Sequence, residues 1–160
     1  MRLAELNAAP ADELTRELLA CCDIPSWAAT LIAKRPYDGG AALRDTADAA
    51  ARALTDAEVD RALARHPRIG ERPTGQDTEA GWSRQEQAGV APDDRLAAGN
   101  RAYEQRFGRV FLICATGLDK EQILEALGQR LTNDEGTERA VVKDELRKIA
   151  LLRLEKLVEP

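Results

Sequence analysis

Val110-Phe111-Leu112-Ile113-Cys114-Ala115 is the only run of this 160-residue chain that is apolar, β-branched and extended in pattern. How it is read decides the fold. Paired with a second strand it would begin a small sheet, and wound up it would be a short core helix. Standing alone, it must have its N–H and C=O groups met by side chains, water or a ligand, because buried backbone groups are rarely left bare. The composition weighs against a sheet: 4% aromatic residues, 32% charged residues and a 44% hydrophobic share with many alanines suit helices. The expectation is an all-α fold, a single-domain multi-helix bundle over residues 1–160, with one short extended segment near 110–115; whether that segment is a wall of backbone, half of a two-stranded pairing or a short helix stays open.

Helical signals flank this run on both sides. Downstream, Asp119 with Gln122 caps a helix bearing Ile123, Leu127 and Leu131, and Asn133 or Asp134 opens a long last helix. Its inward face reads Val142, Leu146, Ile149, Ala150 and Leu157. At about 100° per residue Arg153 falls on that same face, so its guanidinium either finds a structural partner, snorkels outward, or waits for an anion. Upstream, Asp93 or Asp94 opens a helix with Leu96, Asn100, Tyr103 and Phe107 on one stripe, which Gly108 ends. Asn100 is then a buried amide that needs a neighbouring backbone group or a ligand. Earlier helices follow Pro10 (Leu14, Leu18, Cys21 or Cys22), start at a Ser26 cap (Trp27, Leu31, Ile32, ending at Arg35-Pro36), and carry Leu43, Ala47, Ala50 and Leu54. Thr55-Asp56-Ala57-Glu58 reads as a capping box for a short helix with Val59 and Leu63 inward.

That short helix delivers Arg65-His66-Pro67-Arg68-Ile69-Gly70-Glu71, which holds the single histidine of the chain. An imidazole with an ordinary pKa of roughly 6.5 both gives and takes protons near neutrality. Pro67 disfavours helical geometry at His66, so the helix ends there. The negative end of the helix favours imidazolium while Arg65 and Arg68 oppose it, and the sign of the shift stays open. His66 is either a surface or capping residue or a general acid/base. Gly70 to Gly75 lacks the Lys-Ser/Thr of a phosphate loop, and Thr74 to Trp82 reads as a polar loop. Ser83-Arg84-Gln85-Glu86, followed by Gln87, has the spacing of a second capping box; it either caps a helix start or offers that start to an anion.

Charge and cysteines narrow the partners. A net charge of −5 argues against nucleic acid. No apolar run approaches the roughly 20 residues of a membrane span, and no signal pattern opens the chain, which suits a cytoplasmic protein. Cys21, Cys22 and Cys114 fit neither a disulfide framework nor a zinc site and read as reduced core thiols.

In order, His66-Pro67-Arg68-Ile69-Gly70, Ser83 to Gln87, Phe107-Gly108 with Phe111 to Gly117, and Leu146 to Leu154 resemble the OHCU (2-oxo-4-hydroxy-4-carboxy-5-ureidoimidazoline) decarboxylases of the bacterial type. Weaker echoes lie at Leu3 to Asn7 and at Arg35-Pro36-Tyr37, where Tyr37 replaces a frequent phenylalanine. The resemblance implies an all-helical, often dimeric enzyme of urate degradation that converts OHCU to (S)-allantoin with neither metal nor organic cofactor. It implies His66 as catalytic acid/base and Glu86 as its carboxylate partner. Pro67, Ser83, Arg84, Gln85, Gln87 and the backbone of Phe111, Leu112, Ile113, Cys114 and Ala115 become substrate contacts, and Arg153 a polar or anionic anchor. Asn100 joins them from its place on the helical stripe. The alternatives are a hydrolase of a related ureido or imidazoline ring, and a non-catalytic helical module that binds an anionic purine metabolite.

Overall fold

The computed structural model describes residues 1–71, 77–88, 90 and 93–159, and every regular element among them is an α-helix. The chain divides into two compact units, residues 1–62 with 146–160 and residues 63–145.

The first unit holds α1 (Leu3–Ala8), α2 (Ala11–Cys21), α3 (Pro25–Ala33), α4 (Gly40–Arg52), nearly all of α5 (Asp56–Leu63) and the C-terminal part of α9 (Glu135–Leu157). α3 packs against both α2 and α4. Each helix buries the stripe its spacing dictates: Leu14, Leu18 and Cys21 from α2, Trp27 and Leu31 from α3, and Leu146, Ile149 and Ala150 from α9. On α4 the inward set is Leu43, Ala47 and Ala51, so strict i, i+4 steps displace the expected Ala50. The Trp27 indole N–H donates to the Ala47 carbonyl at 3.1 Å.

Ser26 does not cap α3. The helix begins one residue earlier with Pro25 in its first turn, where a missing N–H costs nothing, and the Ser26 hydroxyl bonds Glu58 instead. The Thr55 capping box does form: Glu58 accepts from the Thr55 N–H at 3.0 Å, and Thr55 Oγ1 accepts from the Glu58 N–H at 3.2 Å. α1 carries no periodic signal, being only 6 residues long. The two faint sequence echoes prove to be one joint. Asn7 pairs reciprocally with the Tyr37 backbone at 3.0 and 2.8 Å, and Arg35 Nη1 donates to the Leu6 and Ala9 carbonyls at the end of α1.

The second unit holds α6 (Thr78–Glu86), α7 (Asp94–Phe107), α8 (Lys120–Arg130) and the start of α9, with α7 packed on α8. Asp93 caps α7, the Asp119–Gln122 box opens α8, and Gly108 ends α7 at φ +71°, a left-handed conformation suited to glycine. Residues 110–115 form neither helix nor strand, and no strand pairs with them among the described residues. Phe111, Ile113 and Ala115 enter a core with Leu96, Tyr103, Ile123 and Leu127. The loop expected over Thr74 to Trp82 is corrected in part: Thr78 to Trp82 are helical in α6, while residues 72–76 lie outside the described residues.

Candidate active site

α6 starts where Asp77 accepts the Ala80 N–H at 2.7 Å, with Glu79 favourable in the first turn. Ser83 is therefore mid-helix, its carbonyl accepting from the Gln87 N–H at 3.2 Å. The expected Ser83 capping box is thus overturned. Asp77 does the capping, and residues 83–87 form the carbonyl end of a helix, not an N-terminus free to grip an anion. The true register puts Glu79, Ser83 and Gln87 at i, i+4 and i+8. All three are buried, at 9%, 3% and 5% exposure, so the buried stripe of α6 is polar. A polar stripe must be met by protein groups or by a ligand.

His66 faces part of that stripe. α5 ends at Leu63, the His66 N–H closes on the Leu63 carbonyl at 3.1 Å, and Pro67 forbids another turn. The half-buried His66 and Pro67 line a cavity of about 310 Å³ with Arg65, Asp77, Glu79 and Ser83. Glu79 carries a carboxylate into this cavity that the sequence reading did not single out, and Arg65 Nη2 holds it at 2.5 Å. Glu86 is half-buried, whereas Arg84 and Gln85 are exposed.

Beyond Pro67 the chain turns at Gly70. The Gly70 N–H donates to Gln87 Oε1 at 3.0 Å, and Asn100 Nδ2 donates to the Ile69 carbonyl at 2.9 Å. Of the two partners open to Asn100, the structure supplies backbone. Asn100 Oδ1 is buried with no hydrogen-bond partner among the described residues, a cost of about 1–3 kcal/mol. Asn100 also borders a cavity of about 690 Å³ with Arg68 and Glu104, which pair with each other at 2.6 Å.

The segment at 110–115 is met at Leu112 by a charged network that no sequence motif marks. Arg130 Nη1 hydrogen-bonds the Leu112 carbonyl, and Nη2 pairs with Glu138 Oε2 at 2.6 Å. The guanidinium also lies over the Phe111 ring at 4.6 Å. Glu138, fully buried, further accepts from Tyr103 Oη at 2.5 Å and Asn133 Nδ2 at 3.1 Å. One side chain thus satisfies one carbonyl of this segment, and Phe111, Leu112, Ile113 and Ala115 are buried with Cys114 half-buried. The spacing that turned Arg153 inward also marks Glu138, four residues before Val142 on the same helical face.

Burial raises the Tyr103 hydroxyl from its usual 10 to about 12, and its bond to Glu138 adds to the rise. A raised pKa favours the protonated folded state. Its stabilising contribution is whole below pH 10 and is lost as pH climbs toward 12. Urea unfolding at pH 9 and pH 11.5 is expected to show a larger alkaline loss for the native protein than for Tyr103→Phe; equal losses would remove Tyr103 from the alkaline transition.

Arg153 belongs to the first unit. It is 1% exposed, and Nη1 donates at 3.2 Å to the carbonyl of Ala20 in the last turn of α2, where a cation is favoured. Burial and the charge of Asp23 push the nearby Cys22 thiol up to about 12 against the pull of Arg153, which keeps it a protonated core thiol.

The OHCU decarboxylase family model matches residues 7–155. An OHCU decarboxylase of Amia calva is 38% identical over 85 residues, 53% of this chain and 47% of that protein. A uric acid degradation bifunctional protein of Bacillus sp. (strain TB-90) is 27% identical over 98% of this chain and 32% of its own length. The chain thus spans about half the length of the curated relatives it matches, or less. A crystal structure of OHCU decarboxylase in the presence of (S)-allantoin superposes with a TM-score of 0.73 and 26% identity over 88% of this chain and 96% of that one. The crystal structure of (S)-allantoin synthase shares the fold, with a TM-score of 0.73 at 19% identity over 99% of this chain and 54% of that one.

Proposed function

The chain belongs to the OHCU decarboxylase family, and from that premise we propose that residues 1–160 act as one domain that decarboxylates OHCU to (S)-allantoin. The observation that carries this reading is the meeting of the only histidine with Glu79 and Ser83, two members of the polar buried stripe of α6, in one cavity. Acid/base chemistry needs a titratable group in a partly dry, polar recess, and His66 has one.

The substrate's own structure sets the steps. C2 is an oxo carbon and C4 carries both hydroxyl and carboxylate, so the remaining ring C=N lies at C5. When the C4–carboxylate bond breaks, carbon dioxide leaves and the electron pair forms a C4=C5 bond as the C5=N pair takes a proton on nitrogen. The 4-hydroxyl then loses its proton to become a carbonyl, and C5 gains one from a single face. Net, one proton is taken up and one enantiomer forms. His66 is the group that moves the C5 proton, with Glu86 as its carboxylate partner.

Pro67 and Ser83 line the ring's recess, and Arg84, Gln85 and the backbone of residues 111–115 supply further contacts, while Gln87 and Asn100 stand behind the His66 loop, bonded to its backbone. Arg153 anchors a substrate oxygen. A guanidinium closed tightly on the scissile carboxylate would stabilise the ground state as that charge disperses, so its partner is a different oxygen. A homodimer in the cytoplasm completes the reading.

The test uses purified protein and freshly generated OHCU, followed by circular dichroism beside a matched reaction without protein. Faster appearance of (S)-allantoin with carbon dioxide release is expected. A rate equal to the spontaneous one sinks the reading.

A further inference from the structure

The Ile69–Gly70 peptide begins three residues after His66, and side chains from two helices hold both of its polar groups. Its carbonyl accepts from Asn100 Nδ2 at 2.9 Å, and its N–H donates to Gln87 Oε1 at 3.0 Å. Gln87 closes α6 and Asn100 lies on α7. Both amides are buried, at 5% and 6% exposure. Each orientation follows from its partner, since only an NH₂ can meet a carbonyl and only an amide oxygen can meet an N–H.

We infer that Gln87 and Asn100 are positioning residues that together fix the plane of the Ile69–Gly70 peptide, and through it the loop presenting His66 to its cavity. A peptide plane bonded on opposite edges has lost its rotation. Pro67 removes the φ freedom of its own position, so the link from the held peptide to the imidazole has one free torsion fewer. Gly70 at φ +93° takes the turn without the strain another residue would bring. Asn100 strengthens the case. It lies on the buried stripe of α7 with Leu96 and Tyr103, and its Oδ1 has no partner among the described residues. A leucine there would avoid that orphan oxygen but would release the Ile69 carbonyl. Retaining the amide makes sense if the grip on the loop is what the site requires.

The effect on turnover rests on the decarboxylase reading, whereas the clamp does not, so two readouts separate them. The first is ligand-free NMR: hydrogen exchange at the Gly70 amide and the resonance of the single histidine. Gln87→Leu is expected to speed Gly70 exchange at least tenfold and move the His66 signal. Gln87→Glu should keep Gly70 protected, because a carboxylate still accepts. At Asn100 the pattern inverts, since an ionised Asn100→Asp cannot donate to the Ile69 carbonyl and should disturb His66 as much as Asn100→Leu.

The second readout is turnover of OHCU. Each leucine variant should lose kcat by about 10²-fold, the size of effect a slightly misplaced catalytic group produces, with KM changed by less than about threefold. The double variant should lose no more than the worse single, because both residues act on one peptide. Unchanged Gly70 exchange in Gln87→Leu, or kcat losses that multiply, would overturn the clamp. If the exchange pattern holds while the native protein turns over no OHCU, the clamp stands and the decarboxylase reading fails.

Discussion

His66→Asn is expected to fold normally and to lose OHCU turnover by about 10²–10⁴-fold, the range general acid/base groups supply. The fold should survive because the His66 N–H bonds the Leu63 carbonyl and Pro67 follows, and neither depends on the imidazole. The chemistry should not survive, because no other histidine exists to replace it. Asparagine can hydrogen-bond but cannot exchange a proton near neutrality. If His66 moves the proton as proposed, the loss should fall on kcat and not on ground-state binding. The residual product should also approach a racemate, because solvent reaches both faces of the ring carbon that takes the proton. Initial rates by circular dichroism with chiral analysis of the allantoin check both points. Full rate with retained enantiomeric excess would remove His66 from the mechanism and favour its reading as a turn residue.

The helices around this histidine were legible because their signals are local. Asp93, Asp119 and Gly108 act within one turn of where they stand, and each does what its residue type suggests. The run at residues 110–115 stood out as the one apolar, β-branched stretch of the chain, but whether it pairs depends on distant residues, which a local pattern does not decide. α6 was misread because two capping signals lie six residues apart. Asp77 and Ser83 both suit an N-cap, and local chemistry does not rank them. With the helix begun at Asp77, its buried face becomes Glu79, Ser83 and Gln87, and the cavity follows. The Arg130–Glu138 pair was missed for a different reason. A charged residue on an inward stripe reads as an exception until its partner is known, and that partner lies on another helix. Glu138 and Arg153 share one face of α9. Arg153 stands out more readily from its spacing, although both side chains are closed to solvent.

Breaking that pair is the largest stability effect expected of a single substitution here. Glu138→Gln keeps the shape and a hydrogen-bonding group but leaves the Arg130 guanidinium buried without its counter-charge. Removing one partner of a buried pair costs about 3–5 kcal/mol, or a Tm lower by roughly 6–20 °C for a chain of this length. The pH dependence carries the same signature. Burial pushes the Glu138 carboxyl up, but the hydrogen bonds from Arg130 and Tyr103, with the charge of Arg130, outweigh it and hold it below the usual range. A depressed pKa gives stability that is whole above the unfolded value, near 4.5, and drains away as pH falls below it. Native protein should therefore lose stability on acidification from pH 6 to 3 by more than Glu138→Gln does. Replacing both partners, Arg130→Met with Glu138→Leu, should recover much of the loss, because an apolar pair of similar volume needs no desolvated charges. The recovered protein should still be slow on OHCU. Methionine cannot hold the Leu112 carbonyl, so the extended backbone is free to shift while the helices around it stay packed. A double variant as stable and as active as the native protein would mean that Arg130 only fills space; one that is stable but slow assigns it the wall.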